Sequence, residues 1–164
     1  MENKSGQMKI SFGMIFSIIL IIVFLVFTFY AIKMFLGTGV TAQLVQFKDS
    51  LQSDIDKVWR ASQGAQEQDY FLPNKIQYVC FVDFTSEKNG VHSQIYDDMK
   101  FYYFGQENLF FYPSEGIDGL EIKHIVIEDI TYNQNPYCIE AVESHIKLSL
   151  SKDFNETLVT ISKI

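Results

Sequence analysis

Between Lys9 and Lys33 the chain reads ISFGMIFSIILIIVFLVFTFYAI, and this stretch, Ile10–Ile32, holds no charged residue. As a helix it measures roughly 35 Å at ~1.5 Å per residue, enough to cross a hydrocarbon core of about 30 Å. It is apolar on every side, whereas a helix on the surface of a soluble domain keeps a polar face. Ser11, Ser17 and Thr28 suit such a span, because a helical hydroxyl can bond back to a carbonyl one turn earlier. The expectation is one transmembrane helix over residues 10–36, after a short polar leader or cytoplasmic N-terminus over residues 1–9.

Beyond that segment lie about 130 residues, enough for one domain with its own core. Setting aside Lys4, Lys9, Lys33 and Glu2, the chain's 13 basic and 20 acidic residues become 10 against 19. So acidic a surface repels phosphate backbones, and nucleic acid is not expected as a partner.

Lys4, Lys9 and the terminal amine precede the span, while Lys33 follows it and Lys48 is balanced by Asp49. This bias places the N-terminus in the cytoplasm and the C-terminal domain outside the cell membrane. The sequon Asn155-Glu156-Thr157 makes Asn155 a candidate glycosylation site for an outward-facing domain. Three fates compete for the N-terminus. Small residues at Val40-Thr41-Ala42 would suit cleavage as a secretory signal, but the apolar run exceeds the roughly 7–15 residues of such signals. The span can stay uncleaved as a plain signal anchor, or it can follow a leader that is cut away.

The third fate rests on Lys4-Ser5-Gly6-Gln7, a polar leader ending in Gly just before the apolar run. Over Met1 to about Trp59 the chain resembles an archaeal type IV pilin-like precursor, carried by Gly6-Gln7, the span and the helix after it. The resemblance implies cutting by a membrane peptidase between Gly6 and Gln7, with the hydrophobic helix kept on the mature protein. It also implies function by subunit assembly. Pilin-like segments commonly carry Glu near the fifth mature position; here that position is Ser11, and Lys9 is a further departure.

Gly37-Thr38-Gly39 is the expected weak point after the span, since each Gly costs a helix about 1 kcal/mol relative to Ala. Leu44, Phe47, Leu51, Ile55, Val58 and Trp59 then recur mostly three and four apart, predicting an amphipathic helix over residues 38–62. Asp54 and Asp56 sit two apart and do not face each other, so both read as solvated charges. The helix is expected to fade across Ser62–Gln66, with Pro73 closing any continuation. The stripe serves to pack on its own domain or on neighbouring subunits.

From Lys75 the period becomes two: Ile76, Tyr78, Cys80, Val82 and Phe84 alternate with Gln77, Val79, Phe81 and Asp83, predicting a strand. Met99–Phe104 and Leu109–Tyr112, around Gly105–Asn108, read as a hairpin. Ile122–Tyr132 reads as another strand, and Tyr137–Val142, His145–Leu150 and Thr157–Ile161 as a meander. The fold class expected is α+β: a long N-terminal helix followed by an antiparallel β-sheet or small β-sandwich head, the β-rich extracytoplasmic domain covering residues 70–164.

Cys80 and Cys138 would pair as a disulfide in an oxidising compartment, or else serve as two buried thiols. No CxxC or Cys-His spacing suits a metal. His92, His124 and His145 are scattered singly, with His124 placed on a strand face beside Ile122 and Val126. GxSxG, HExxH, GxGxxG and P-loop patterns do not occur. Asp97-Asp98 and Glu128-Asp129 are adjacent acids whose side chains diverge on a strand. No cofactor and no catalytic activity are therefore expected. Phe101–Phe104 and Phe110–Tyr112 place aromatics on both faces of the proposed hairpin, which calls for cover on both sides or a protein-binding surface. The sequence thus reads as a pilin-like membrane subunit acting through assembly or surface interaction, with lipid and protein partners. The alternative is a plain anchored protein whose outer domain binds a partner as an accessory subunit.

Overall fold

The computed structural model describes residues 12–114 and 116–164, with the side chains of 35–38 left aside. The candidate processing site Gly6-Gln7, together with Lys9 and Ser11, lies outside the described residues. A first helix, α1 (Phe12–Arg60), is followed by six strands and two short helices. The chain forms two compact units, one ending at Gly39 and one spanning Val40–Ile164.

In the first unit α1 is long and apolar enough to cross a membrane. The successive residues Ile18, Ile19, Leu20 and Ile21, which together point to every side of the helix, are all exposed. Its hydroxyls are satisfied internally, Ser17 Oγ donating to the Gly13 carbonyl and Thr28 Oγ1 to that of Phe24, both at 2.8 Å. The helical assignment runs on through residues 37–39, expected to be its weak point. Two glycines cost only about 2 kcal/mol, which long flanking helical stretches on both sides offset.

The second unit is the head. Within it the Val40–Arg60 stretch of α1 buries Leu44, Phe47, Leu51, Ile55 and Val58, each worth about 1.5–3 kcal/mol relative to exposure. Two three-stranded antiparallel sheets share that core. Sheet A has the order β1 (Gly64–Phe71), β5 (His145–Lys152), β6 (Thr160–Lys163); sheet B has β3 (Leu109–Tyr112), β2 (Tyr78–Phe81), β4 (Tyr137–Glu140). Alternation decides which side chains enter the core: Tyr70, Ile146, Leu148, Leu150 and Ile161 from sheet A, and Val79, Phe81, Phe111 and Ile139 from sheet B. The head is α+β, as the pattern of elements implied.

Several local expectations are corrected. Ser62–Gln66 is not a fading helix: α1 ends at Arg60 and β1 begins at Gly64, its alternate residues Gln66, Gln68 and Tyr70 turned inward. Pairing with β5, register Tyr70↔Ile146, supplies the ladder that this glutamine-rich sequence lacks by propensity. Met99–Phe104 is not a hairpin arm. α2 (Ser93–Lys100) occupies the start of it, burying Tyr96 and Met99 one helical turn apart, and a turn follows. Leu109 instead bridges to Leu120. Ile122–Tyr132 is not one strand either; His124 takes a positive φ of 65°, Ile125 bridges to Val159, and α3 (Ile127–Thr131) follows.

Candidate functional site

Sheet B is covered on both faces, and the alternation of its aromatics explains how. Phe111 faces α1, its ring 5.8 Å from that of Phe47 in an edge-on contact. Phe110 and Cys80 face the other way, into a second cluster with Val82 and with Tyr96 and Met99 of α2. Phe84 joins that cluster, edge-on to Phe110 at 5.4 Å. Gly119 lets the covering loop approach, because a Cβ there would lie 2.3 Å from the Phe110 ring. The aromatic run is thus mostly core, except for Phe101 and Phe104, which stay exposed.

Cys80 and Cys138 stand opposite each other on β2 and β4, Cα atoms 4.0 Å apart, and form a disulfide on the α2 side of the sheet. The bond closes a separation of 58 residues and ties the first strand of sheet B to the C-terminal part of the chain. Asn155 and Thr157 of the sequon are exposed in the turn between β5 and β6.

The acids read as solvated charges have distant partners. Asp54 accepts from the Tyr70 hydroxyl at 2.9 Å and from Lys57 at 2.7 Å. Burial first, then Asp54, pushes the Tyr70 phenol far above its ordinary value of 10.0. Asp56 lies 3.0 Å from His124 Nδ1 and accepts from Gln52 at 2.8 Å. Burial alone would raise the Asp56 carboxyl, but His124 and Gln52 hold it below its ordinary 3.8. His124 stacks flat on Trp59, centroids 3.7 Å apart. Gln52 also clasps both backbone groups of Lys123, at 2.8 and 3.2 Å. This constellation docks the last turns of α1 onto the 122–126 segment. The period of the helix revealed its apolar stripe, but no local signal joined Asp56 to a histidine 68 positions away.

A second polar knot holds the loop after β2. Buried Asp83 accepts from Thr85 Oγ1 and Ser86 Oγ, both at 2.6 Å, and from the Thr85 amide at 2.8 Å. Buried Asn135 donates to the Asp83 carbonyl at 2.7 Å and accepts from its amide at 3.1 Å. Among the described residues, no buried side-chain nitrogen or oxygen lacks a partner. His145 Nδ1 sits 2.8 Å from Asp69 at the surface, and His92 packs its ring against Tyr78 at 5.0 Å. Asp97 pairs with Lys88, and Glu128 and Asp129 occupy the first turn of α3, where the helix dipole favours them. The three histidines thus lie in three separate places, and the two acidic pairs on α2 and α3.

Several clefts open on the head, and two of them border the 101–121 segment. One of about 280 Å³ is walled by Phe101, Tyr102, Tyr112, Pro113 and Ile117, with Asp98 at its edge. The other, about 580 Å³, runs along α1 past Val45, Lys48 and Gln52 to Gln106, Glu107 and His124. Among the described residues, no three His, Cys, Asp or Glu side chains gather as a metal site requires. No protein family, curated protein or solved structure matches the chain.

Proposed function

We propose that the chain is a pilin-like, single-pass membrane subunit whose head acts by subunit assembly or surface interaction rather than catalysis. The observation that carries this reading is the division of labour along α1. One helix exposes apolar residues on all sides before Gly39, then buries a single stripe in the head core after Val40. A lipid-facing stretch that continues into the core of an outer β domain is what a helix-based subunit needs. The Cys80–Cys138 disulfide supports an outward head, because such bonds persist in oxidising compartments. The exposed sequon at Asn155 suits the same orientation. With Lys4 and Lys9 before the span, the N-terminus is then cytoplasmic. The excess of acidic residues in the head argues against nucleic acid as a partner.

The test is the mature N-terminus in the native membrane. We expect a chain beginning at Gln7 that sediments as filaments, and a Gly6→Val variant that keeps its leader and stays dispersed in detergent. A wild-type chain that begins at Met1 and never sediments would leave the second reading, a plain anchored accessory subunit. Ser11, standing where pilin-like segments commonly place Glu, favours that alternative.

A further inference from the structure

The two sulfurs of the disulfide are not equivalent. Sheet B runs β3-β2-β4, so Cys80 lies on the middle strand and Cys138 on an edge. Cys80 pairs with Phe110 on one side and with Cys138 on the other. Residues directly opposite each other on antiparallel strands share a face, so Phe110, Cys80 and Cys138 stand in a row across the sheet. Cys80 and Phe110 are 0% and 3% exposed, inside the cluster that Val82, Tyr96 and Met99 complete. Cys138 packs against that cluster from its margin and keeps partial exposure. The Phe110 end of the row is closed by the Phe84 ring and by the loop at Gly119. At the other end, no strand follows β4 among the described residues.

Thiol–disulfide exchange proceeds by attack of a thiolate on one sulfur, in line with the bond that breaks. In-line attack on Cys80 Sγ comes from the side opposite Cys138, which Phe110 fills. In-line attack on Cys138 Sγ comes from the side opposite Cys80, which is the outer edge of β4. Hydration acts in the same direction, because a thiolate is costly in the apolar surroundings of Cys80 and less so at the margin.

We propose that Cys138 is the exchange site of this bridge, through which an oxidant that itself carries a disulfide closes it. The Cys138 thiolate attacks one sulfur of the oxidant. The oxidant's S–S bond breaks, and its second sulfur leaves as a thiolate and takes up the proton that Cys138 gave. Cys80 Sγ then attacks Cys138 Sγ from within the sheet. The mixed disulfide breaks, and the oxidant's remaining sulfur departs through the open edge with the Cys80 proton. Two cysteine thiols are oxidised to one disulfide, and the oxidant's disulfide is reduced to two thiols. Reduction retraces the same path, so an external thiolate also enters at Cys138. This chemistry belongs to the head alone and is independent of whether the subunit assembles.

Full-length protein with its disulfide intact is held in detergent, below the melting temperature of the head, and pulsed with β-mercaptoethanol. Acid then quenches exchange, and mass spectrometry of the peptides reads which cysteine carries the adduct. The expected result is about tenfold more adduct on Cys138 than on Cys80, a difference that vanishes in denaturing urea. Equal adducts in the native head, an excess on Cys80, or an asymmetry that persists in urea would overturn the proposal. So would a native head that takes no adduct at thiol concentrations that modify both cysteines in urea. The oxidising direction is read on single variants. Cys80→Ser, which keeps the edge thiol, should react with dithionitrobenzoate about tenfold faster than Cys138→Ser, which keeps the inner one. Equal rates in heads that both melt cooperatively would show that the row across sheet B does not select the sulfur.

Discussion

Before Gly39, α1 exposes Ile18, Leu20, Ile22, Phe24 and Val26 around its whole circumference; after Val40 it buries Leu44, Phe47, Leu51, Ile55 and Val58 on one side. Thr41, Gln43, Gln46, Asp49 and Ser53 are exposed on the other side of the second stretch. Both stretches are helical, and both are rich in large aliphatic and aromatic residues. They differ in what covers those residues. In the head the cover is built by the chain itself, from two sheets that share one cluster. Before Gly39 the side chains just named are exposed, so their apolar character suits partition into lipid rather than packing of the head. Residue for residue, the same substitution should therefore have very different consequences in the two stretches.

The largest effect that sharpens this contrast is expected from the disulfide, which belongs wholly to the head. Closing a separation of 58 residues restricts the unfolded chain by about 4 kcal/mol on loop-closure entropy. Reduction should lower the melting temperature of the head by on the order of 10 °C, while membrane retention of the full chain is unchanged. Calorimetry with and without reductant, alongside a membrane extraction assay, measures both. A head that melts at the same temperature when reduced would show that the β2–β4 pairing holds without the bond.

Next in size is the direct swap. Leu51 is fully buried, and Leu51→Ala removes packing as well as transfer free energy, a loss of about 3 kcal/mol. Leu25 is half exposed, and Leu25→Ala should leave head stability within about 0.5 kcal/mol of the parent chain. Urea denaturation of both variants in detergent, followed through Trp59, decides the matter. Equal losses would mean that the two stretches share a fold-stabilising environment, and the contrast would collapse.

The sequence disclosed the parts of this molecule whose signal is local. The length of the apolar run, the stripe from Leu44 to Val58, and the alternation around Cys80 and through His145–Leu150 each state their own structure. β1 was hidden because Gly64, Gln66 and Gln68 carry little strand propensity, and their alternation becomes meaningful only once β5 pairs with them. α2 was hidden by aromatics: Tyr102, Tyr103 and Phe104 mimic a strand, while the decisive pair, Tyr96 and Met99, lies one helical turn apart. The contacts that dock α1 were hardest to read. Asp56 meets His124, and Asp54 meets Tyr70, only because the folded chain brings remote segments together. The disulfide was readable as a pair because only two cysteines exist.

The smallest effect concerns pH, and it also separates the head from the span, because Phe12–Ile32 contains no residue that ionises in the acid range. Burial taken alone would raise the Asp83 carboxyl, but the hydroxyls of Ser86 and Thr85 and their backbone amides outweigh it and hold the group below its ordinary 3.8. Asp56 is lowered too, and so is Glu107, whose own burial is outweighed by the loop amides around Phe104. A carboxyl with a lower pKa folded than unfolded contributes stability that is fully present above the unfolded value. That contribution disappears as pH falls through the unfolded value and on to the folded one. The head should therefore hold a plateau down to about pH 5 and weaken progressively below about pH 4. The opposite sign applies to Tyr70 and Tyr96, whose phenols are raised by burial first and then by nearby acids. Their contribution is present below pH 10.0, the ordinary tyrosine value, and is lost as pH rises beyond it. Denaturation midpoints measured from pH 3 to pH 11 should trace both limbs. Asp83→Asn, which cannot gain or lose the proton, should lower the plateau and flatten the acid limb. If that variant falls as steeply as the parent between pH 5 and pH 3, the hydroxyl cradle around Asp83 does not link the head's stability to protonation.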